Sequence, residues 1–103
     1  MNQFLIEREG MKVKVILGSD MTSAVVPELR DMLCAIEEDG VQELVLDCAQ
    51  TKDLDTPLLS LLLAARNSFR EPPKTLRLVG VQPSLFSMLE TLRLHQHLNA
   101  RME

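Results

Sequence analysis

Six consecutive residues combine two carboxylates, a hydroxyl and a proline: Asp53-Leu54-Asp55-Thr56-Pro57-Leu58. This segment separates an apolar run, 43–47, from a leucine-rich run, 58–65, and the two runs predict a strand and a helix. A helix N-terminus concentrates unpaired backbone N–H groups and the positive end of the helix dipole, so it favours an anion. Thr56 puts a hydroxyl at this terminus, and Pro57 suits the first helical position. The pattern supports two interpretations of Thr56, as a phosphorylation site beside Asp55 or as a plain N-cap.

The same carboxylates match the Asp-x-Asp-x nucleophile loop of haloacid-dehalogenase phosphatases. In those enzymes the first aspartate directly follows a buried strand, whereas residues 50–52 stand between the strand and Asp53 here. A chain of 103 residues is also too short to supply that family's downstream lysine and metal-binding acids. Because the sequence shows no acid–base pair and no nucleophile with a base, we expect no enzymatic activity and no cofactor.

Histidine and cysteine are too sparse to predict a metal site. His95 and His97 lack a third ligand, and they fit a solvated loop. Cys34 and Cys48 have no paired spacing and stand in apolar surroundings, which is typical of reduced core residues. We therefore expect no metal ion, no disulfide and a reducing, cytoplasmic environment.

Composition restricts the class of protein further. The length predicts a single domain, 1–103, whose core is aliphatic because the only aromatic residues are three phenylalanines. The net charge of −4, with scattered basic residues, argues against binding to nucleic acid. No apolar run is long enough to span a membrane, and the N-terminus lacks the features of a signal peptide. These features predict a soluble cytoplasmic domain without membrane insertion.

Hydrophobic periodicity predicts two strands before the first helix. Apolar and polar residues partly alternate over 4–8 and over 12–17, and these two runs flank Glu9-Gly10, which indicates a hairpin. After a loop over 18–23, apolar residues recur at helical spacing until Asp39-Gly40 ends the helix. The residues on its apolar face are Leu29, Met32, Leu33 and Ile36.

The rest of the chain alternates strands with helices. The predicted elements are a strand over 41–48, a helix over 57–70, a strand over 75–79, a helix from Pro83 and a short edge strand over 98–102. The order β-β-α-β-α-β-α(-β) indicates an α/β (α+β) fold, a mixed sheet of four to five strands with helices packed against it. We expect buried leucines in the central strands, at Leu44, Leu46, Leu76 and Leu78, covered by Leu33, Leu61, Leu62 and Leu89.

This order and several short motifs resemble the STAS domain, a family named for sulfate transporters and anti-sigma-factor antagonists. The resemblance extends over essentially the whole chain. Asp55-Thr56-Pro57-Leu58 resembles the signature Asp-Ser-Ser-Gly, with Pro57 and Leu58 in place of the second serine and the glycine. Four other segments also resemble the family. They are the turn Gly18-Ser19-Asp20 that follows the second strand, the strand over 43–47, the segment 78–81 together with Pro83, and the segment 91–94.

The resemblance implies a non-enzymatic protein-interaction switch. In STAS regulators the unmodified domain binds an anti-sigma kinase, and phosphorylation of the motif hydroxyl, matched here by Thr56, breaks the contact. The partner would be a GHKL-type serine/threonine kinase that acts as an anti-sigma factor, and a PP2C-type phosphatase would reverse the modification. The residues expected to contact the partner are Asp20, Asp53, Asp55, Thr56, Pro57, Leu58 and Ser60.

The family leaves two alternative functions open. The chain could be a STAS accessory subunit of an ABC-type lipid or organic-anion transporter, with the Asp55-Thr56 turn and the second long helix docked permanently on the transporter ATPase. It could also be a scaffold subunit of a larger signalling assembly. Neighbouring genes for a kinase or phosphatase would favour the switch, and permease and ATPase genes would favour the transporter.

Overall fold

The fold is known from a computed structural model, which describes residues 4–21, 23–69 and 74–103. The described residues form six strands and three helices, and a 3₁₀ turn, Ser23–Val25, precedes the first helix. The order is the predicted one except for two additional two-residue strands, β3 and β5, and for the last predicted strand. The strands are β1 (Phe4–Glu9), β2 (Lys12–Leu17), β3 (Asp20–Met21), β4 (Glu43–Asp47), β5 (Asp53–Leu54) and β6 (Thr75–Val79). The helices are α1 (Val26–Glu38), α2 (Thr56–Ser68) and α3 (Pro83–Thr91).

Four strands form the main sheet, in the order β1-β2-β4-β6. The β1–β2 hairpin is antiparallel, and Gly10 supplies the positive φ of 61° in its turn. The pairs β2–β4 and β4–β6 are parallel, with α1 and α2 as the crossover helices. This arrangement confirms the predicted mixed sheet with helices packed against it.

The predicted edge strand over 98–102 is reduced to a single parallel bridge between Leu78 and Ala100. The Arg101 N–H donates to the Leu78 carbonyl at 2.9 Å, and the Val81 N–H donates to the Arg101 carbonyl at 2.9 Å. Asn99, with a positive φ of 50°, sits in the turn just before this contact. The C-terminal segment therefore follows β6 without extending the sheet by a full strand. The second long helix ends at Ser68, with Phe69 as its C-cap residue, two residues before the predicted end at about Arg70. Residues 70–73, which include the predicted helix breaker, lie outside the described residues.

The core lies on one face of the sheet, beneath the helices. The predicted strand leucines are fully buried, and Leu33, Leu62 and Leu89 from the three helices cover them. Leu61 is only half-buried, which corrects its place in the predicted core. It faces a groove of about 170 Å³ between α1 and α2, together with Cys34 and Ala64. No helix in the described part of the chain is long and apolar enough to cross a membrane.

The two cysteines differ in accessibility, because Cys34 is exposed on α1 and Cys48 is fully buried after β4. Burial, and secondarily the charge of Asp47, raises the pKa of the Cys48 thiol from 9.0 to about 12. We expect iodoacetamide to label one cysteine of the native protein and both after unfolding, as counted by intact mass. Labelling of Cys48 in the native state would contradict its placement.

The raised pKa of Cys48 also predicts the sign of a pH effect on stability. The unfolded thiol ionises near pH 9, whereas the folded thiol keeps its proton up to about pH 12. The folded state binds more protons in that interval, so this thiol lowers the free energy of unfolding as the pH rises from 9 to 12. Cys48→Ala should show a shallower decline than the unmodified chain over the same interval, measured by urea unfolding.

Candidate functional site

The candidate site lies at the carboxyl ends of β2, β4 and β6. These strands are parallel, so the loops that follow them meet at one edge of the sheet. Crevices outside the carboxyl ends of parallel strands are the usual ligand-binding positions of open α/β sheets. The three loops are 18–19, 48–52 and 80–82, and the segment that carries Thr56 continues from the second of them.

Two of these loops are joined around Thr51, a fully buried polar residue. Its hydroxyl donates to the Gly18 carbonyl at 3.0 Å, and its N–H donates to the Cys48 carbonyl at 3.0 Å. Just beyond it, β3 and β5 pair in parallel, with Asp20 opposite Asp53. The backbone therefore places Asp20 and Asp53 side by side.

The third loop is held against the second by a close backbone approach. Gly80 has a φ of 65°, and a Cβ at this position would lie 3.3 Å from the Ala49 Cβ. The Gln82 side-chain amide donates to the Ala49 carbonyl at 3.0 Å. Asp47, at the end of β4, accepts a 2.9 Å hydrogen bond from the Ala49 N–H. All three loops are thus joined into one support for the start of α2.

The helix begins one residue earlier than the position of Pro57 suggests. Asp55 is the N-cap residue, with an extended backbone of φ −70° and ψ 157°, and its carbonyl accepts the Leu59 N–H at 2.9 Å. Thr56 is therefore the first helical residue and Pro57 the second, so the N-cap interpretation of Thr56 is wrong. Proline is tolerated there because the first N–H groups of a helix have no partner within it.

The exposed side of α2 is built from small residues. Thr56, Pro57, Ser60 and Ala64 are exposed, whereas Leu58 is fully buried in the core. Leu58 therefore cannot belong to a partner-binding surface, because its side chain packs beneath the helix. We use the name α2 surface for the exposed set Asp55, Thr56, Pro57, Ser60 and Ala64.

The geometry of the α2 surface suits recognition by another protein. An exposed hydroxyl stands at the positive end of α2, where an added phosphate would interact favourably with the helix dipole. Small exposed side chains allow a partner to approach the helix backbone closely. Among the described residues, no group of three or more histidine, cysteine or acidic side chains is placed to hold a metal ion.

Sequence reasoning did not identify Thr51 and Gln82, the residues that join the loops. We expect Thr51→Val to lower the free energy of unfolding by about 1–3 kcal/mol, because the Gly18 carbonyl loses its donor. Urea unfolding measures the effect. Thr75→Val is the matched control, since Thr75 is exposed, and it should stay within about 0.5 kcal/mol of the unmodified chain. Equal stability of the two variants would contradict the role given to Thr51.

Comparison with known proteins bears on the family and the fold of the chain. A family model described as "Mlab, STAS domain" matches residues 4–100. Among curated protein sequences, none is similar enough to this chain to count as a match.

Several solved structures share the fold. An anti-sigma factor antagonist from Mycobacterium paratuberculosis superposes with a TM-score of 0.83 at 17% identity, over 97% of this chain and 85% of that chain. The Bacillus cell fate determinant SpoIIAA in its phosphorylated form gives 0.76 at 14% identity, over 97% of this chain and 92% of that one. The unphosphorylated form of SpoIIAA gives 0.82 at 14% identity, over 97% and 89%.

Proposed function

The chain belongs to the STAS domain family, and we propose that it is a non-enzymatic protein-interaction switch of the anti-sigma-factor-antagonist kind. In this proposal the unmodified α2 surface binds a GHKL-type kinase in the cytoplasm, and phosphorylation of Thr56 releases it. The observation that carries the proposal is the position of Thr56, exposed as the first residue of α2. A PP2C-type phosphatase would restore the binding form.

The loops beside α2 extend the proposed contact. Asp20 and Asp53 are paired in the β3–β5 register, immediately before the turn that leads to Thr56. A partner that covers the α2 surface would therefore also meet the backbone of this pair. Because three loops are joined by hydrogen bonds at this edge, the surface is largely formed before binding and little ordering entropy opposes association.

Phosphorylation of Thr56 would act on the interface more than on the fold. A phosphate adds about −1.5 to −2 charges, and the positive end of α2 accommodates negative charge within the chain. In the complex the same phosphate would be desolvated beside Asp55 and against the surface of the kinase. Like charges brought together in an interface cost several kcal/mol, which is enough to reverse an equilibrium between bound and free states.

A pull-down tests the proposal most directly. The chain would be used as bait in native lysate, with intact-mass analysis of the recovered bait. We expect the unmodified bait to capture a kinase of the GHKL type, and bait carrying one phosphate to be enriched in the unbound fraction. Capture of a transporter ATPase by bait that carries no phosphate would overturn the switch.

A second candidate function follows from the start of α2. Pro57 and Leu58 replace the second serine and the glycine of the family signature, and Leu58 is buried. Without the glycine, a kinase active site has less room to approach this turn than the family signature would give it, whereas docking without phosphorylation needs no such approach. In this alternative the chain is an accessory subunit of an ABC-type lipid or organic-anion transporter, and the α2 surface docks on its ATPase without phosphorylation.

A further inference from the structure

The outer edge of the main sheet is an unpaired strand. In the described part of the chain, β1 pairs with β2 and with no other strand, so one row of its N–H and C=O groups has no sheet partner. Natural edge strands are commonly protected by charged side chains, proline, a bulge or an overlying element. The charged residues of β1 are confined to its second half, Glu7-Arg8-Glu9, whereas its first half, Phe4-Leu5-Ile6, carries no charge. The strand also has no proline, and its register with β2 is regular from end to end.

Exposed apolar side chains are concentrated at this edge. Leu5 is 58% exposed and Ile6 is 48% exposed. Ile6 is opposite Val15 on the core face, and Leu5 is opposite Ile16 on the other face, so both faces of the edge are apolar here. Of the five large apolar residues exposed in the described chain, three belong to the β1–β2 hairpin, the third being Met11.

We propose that this edge binds a second copy of the chain through antiparallel pairing of β1 with β1. Such a contact is isologous, so its twofold axis passes through one position of the strand. The axis that suits the sequence passes through Ile6. It places Ile6 opposite Ile6 of the second copy, Leu5 opposite Glu7 of the second copy and Phe4 opposite Arg8 of the second copy.

Charge and the number of paired residues in the described strand select this register over its neighbours. In a continuous antiparallel sheet, the side chains of directly opposite residues project on the same face. The twofold axis can therefore pass through a residue of β1, such as Leu5, Ile6 or Glu7, but not between two residues. An axis through Glu7 would put two glutamates opposite each other, which is destabilising. An axis through Leu5 would leave only the three residues Phe4, Leu5 and Ile6 paired within the described strand. With the axis at Ile6, five residues pair and no like charges are opposite, and Arg8 can keep its 2.9 Å ion pair with Asp39 of its own chain.

The pairing leaves the α2 surface free. The crossover helix α2 connects β4 with β6, whereas β1 is at the other end of the sheet. The joined main sheet would have eight strands, with a row of apolar side chains crossing the axis on its core face: Val15 and Ile6 from each copy. Because the contact rests on one short strand from each copy, we expect an interface below about 1,200 Å² and a dimer that depends on concentration.

Disulfide trapping tests both the contact and its register. In a Cys34→Ser background, Ile6→Cys would bring two thiols opposite each other on the axis, where paired Cβ atoms lie about 4.5–5.5 Å apart and small adjustments allow a disulfide. Leu5→Cys is the control, because its two copies would be displaced by two residues along the strand. We expect mild oxidation to give a covalent dimer with Ile6→Cys and several-fold less with Leu5→Cys. Equal or greater trapping with Leu5→Cys would overturn the proposal.

Sedimentation velocity gives an independent test without cross-linking. The unmodified chain should show a dimer that increases with concentration, and Ile6→Lys should stay monomeric at every concentration with an unchanged circular dichroism spectrum. Met102→Lys, which changes an apolar residue that is about as exposed as Ile6, should dimerise like the unmodified chain. An unmodified chain that remains monomeric throughout, or equal dimerisation by Ile6→Lys, would overturn the proposal.

Discussion

Thr56→Asp is expected to weaken binding of the partner kinase by about 100-fold, which corresponds to about 2.7 kcal/mol. The aspartate introduces a charge at the exposed first residue of α2, beside Asp55, where the partner would desolvate it. Thr56→Ala removes the acceptor hydroxyl and should bind at least as well as the unmodified chain, and it should no longer be released by phosphorylation. Binding of both variants to the kinase captured by pull-down can be measured by calorimetry.

The fold should tolerate both changes at Thr56. Because Asp55 is the N-cap residue, the alanine variant loses no capping side chain and should stay within about 0.5 kcal/mol of the unmodified stability. The aspartate interacts with the positive end of α2 and should stabilise the helix by about 0.3–1 kcal/mol. A loss of binding by Thr56→Asp would therefore reflect the interface and not unfolding.

Thr75 provides the matched control for this experiment. It is an exposed threonine at the start of β6, at the opposite end of the strand from the loops that support α2. Thr75→Asp adds the same charge and should leave binding unchanged. If Thr56→Asp and Thr56→Ala bind equally well at unchanged stability, phosphorylation control is wrong and the permanent transporter subunit becomes the better hypothesis.

The sequence predicted the main elements because their patterns are local. Alternation over 12–17 places Val13, Val15 and Leu17 on one face of β2, and all three are buried. The two-residue strands β3 and β5 could not be predicted in this way, because a pair so short has no periodicity of its own. They form where the loops after β2 and β4 run side by side, which is a consequence of the tertiary arrangement.

The orientation of α2 was harder to predict than its existence. Leucines surround most of this helix, so its apolar periodicity is weak and Leu58 could be assigned to either side. Residue size provides a better signal, because the small residues Thr56, Ser60 and Ala64 recur every fourth position and all three are exposed. The start of the helix was misplaced by one residue because proline suits both of its first two positions.

The residues that join the loops have no local signal. Thr51 and Gln82 are 31 positions apart, and the hydrogen-bond partner of each lies 33 positions away along the chain. Only the parallel arrangement of β2, β4 and β6 brings these partners together. The chemistry proposed for the site could thus be inferred from the segment that carries Thr56, whereas the hydrogen bonds that join its supporting loops could not.

Leu46→Ala is expected to cause the largest loss of stability, about 2–5 kcal/mol. Leu46 is the middle of a row across the sheet, opposite Val15 on β2 and Leu78 on β6, and all three side chains are fully buried. Truncation would remove apolar contacts and leave a cavity beneath α1 and α2 that the rigid central strands cannot close. For a domain of this size, total stability is typically about 5–15 kcal/mol, so a substantial share would be lost.

Urea unfolding with a matched exposed leucine measures this loss. Leu5→Ala makes the same truncation at a side chain that is 58% exposed, and it should stay within about 0.5 kcal/mol of the unmodified chain. Leu5 lies on β1, the strand proposed to pair with a second copy of the chain. The two variants should therefore be compared at protein concentrations low enough to keep the chain monomeric. An unchanged m-value would show that the midpoint shift reflects native-state packing. If Leu46→Ala proved as stable as Leu5→Ala, the central position of β4 in the sheet would be wrong, because a fully buried side chain cannot be truncated without loss of packing.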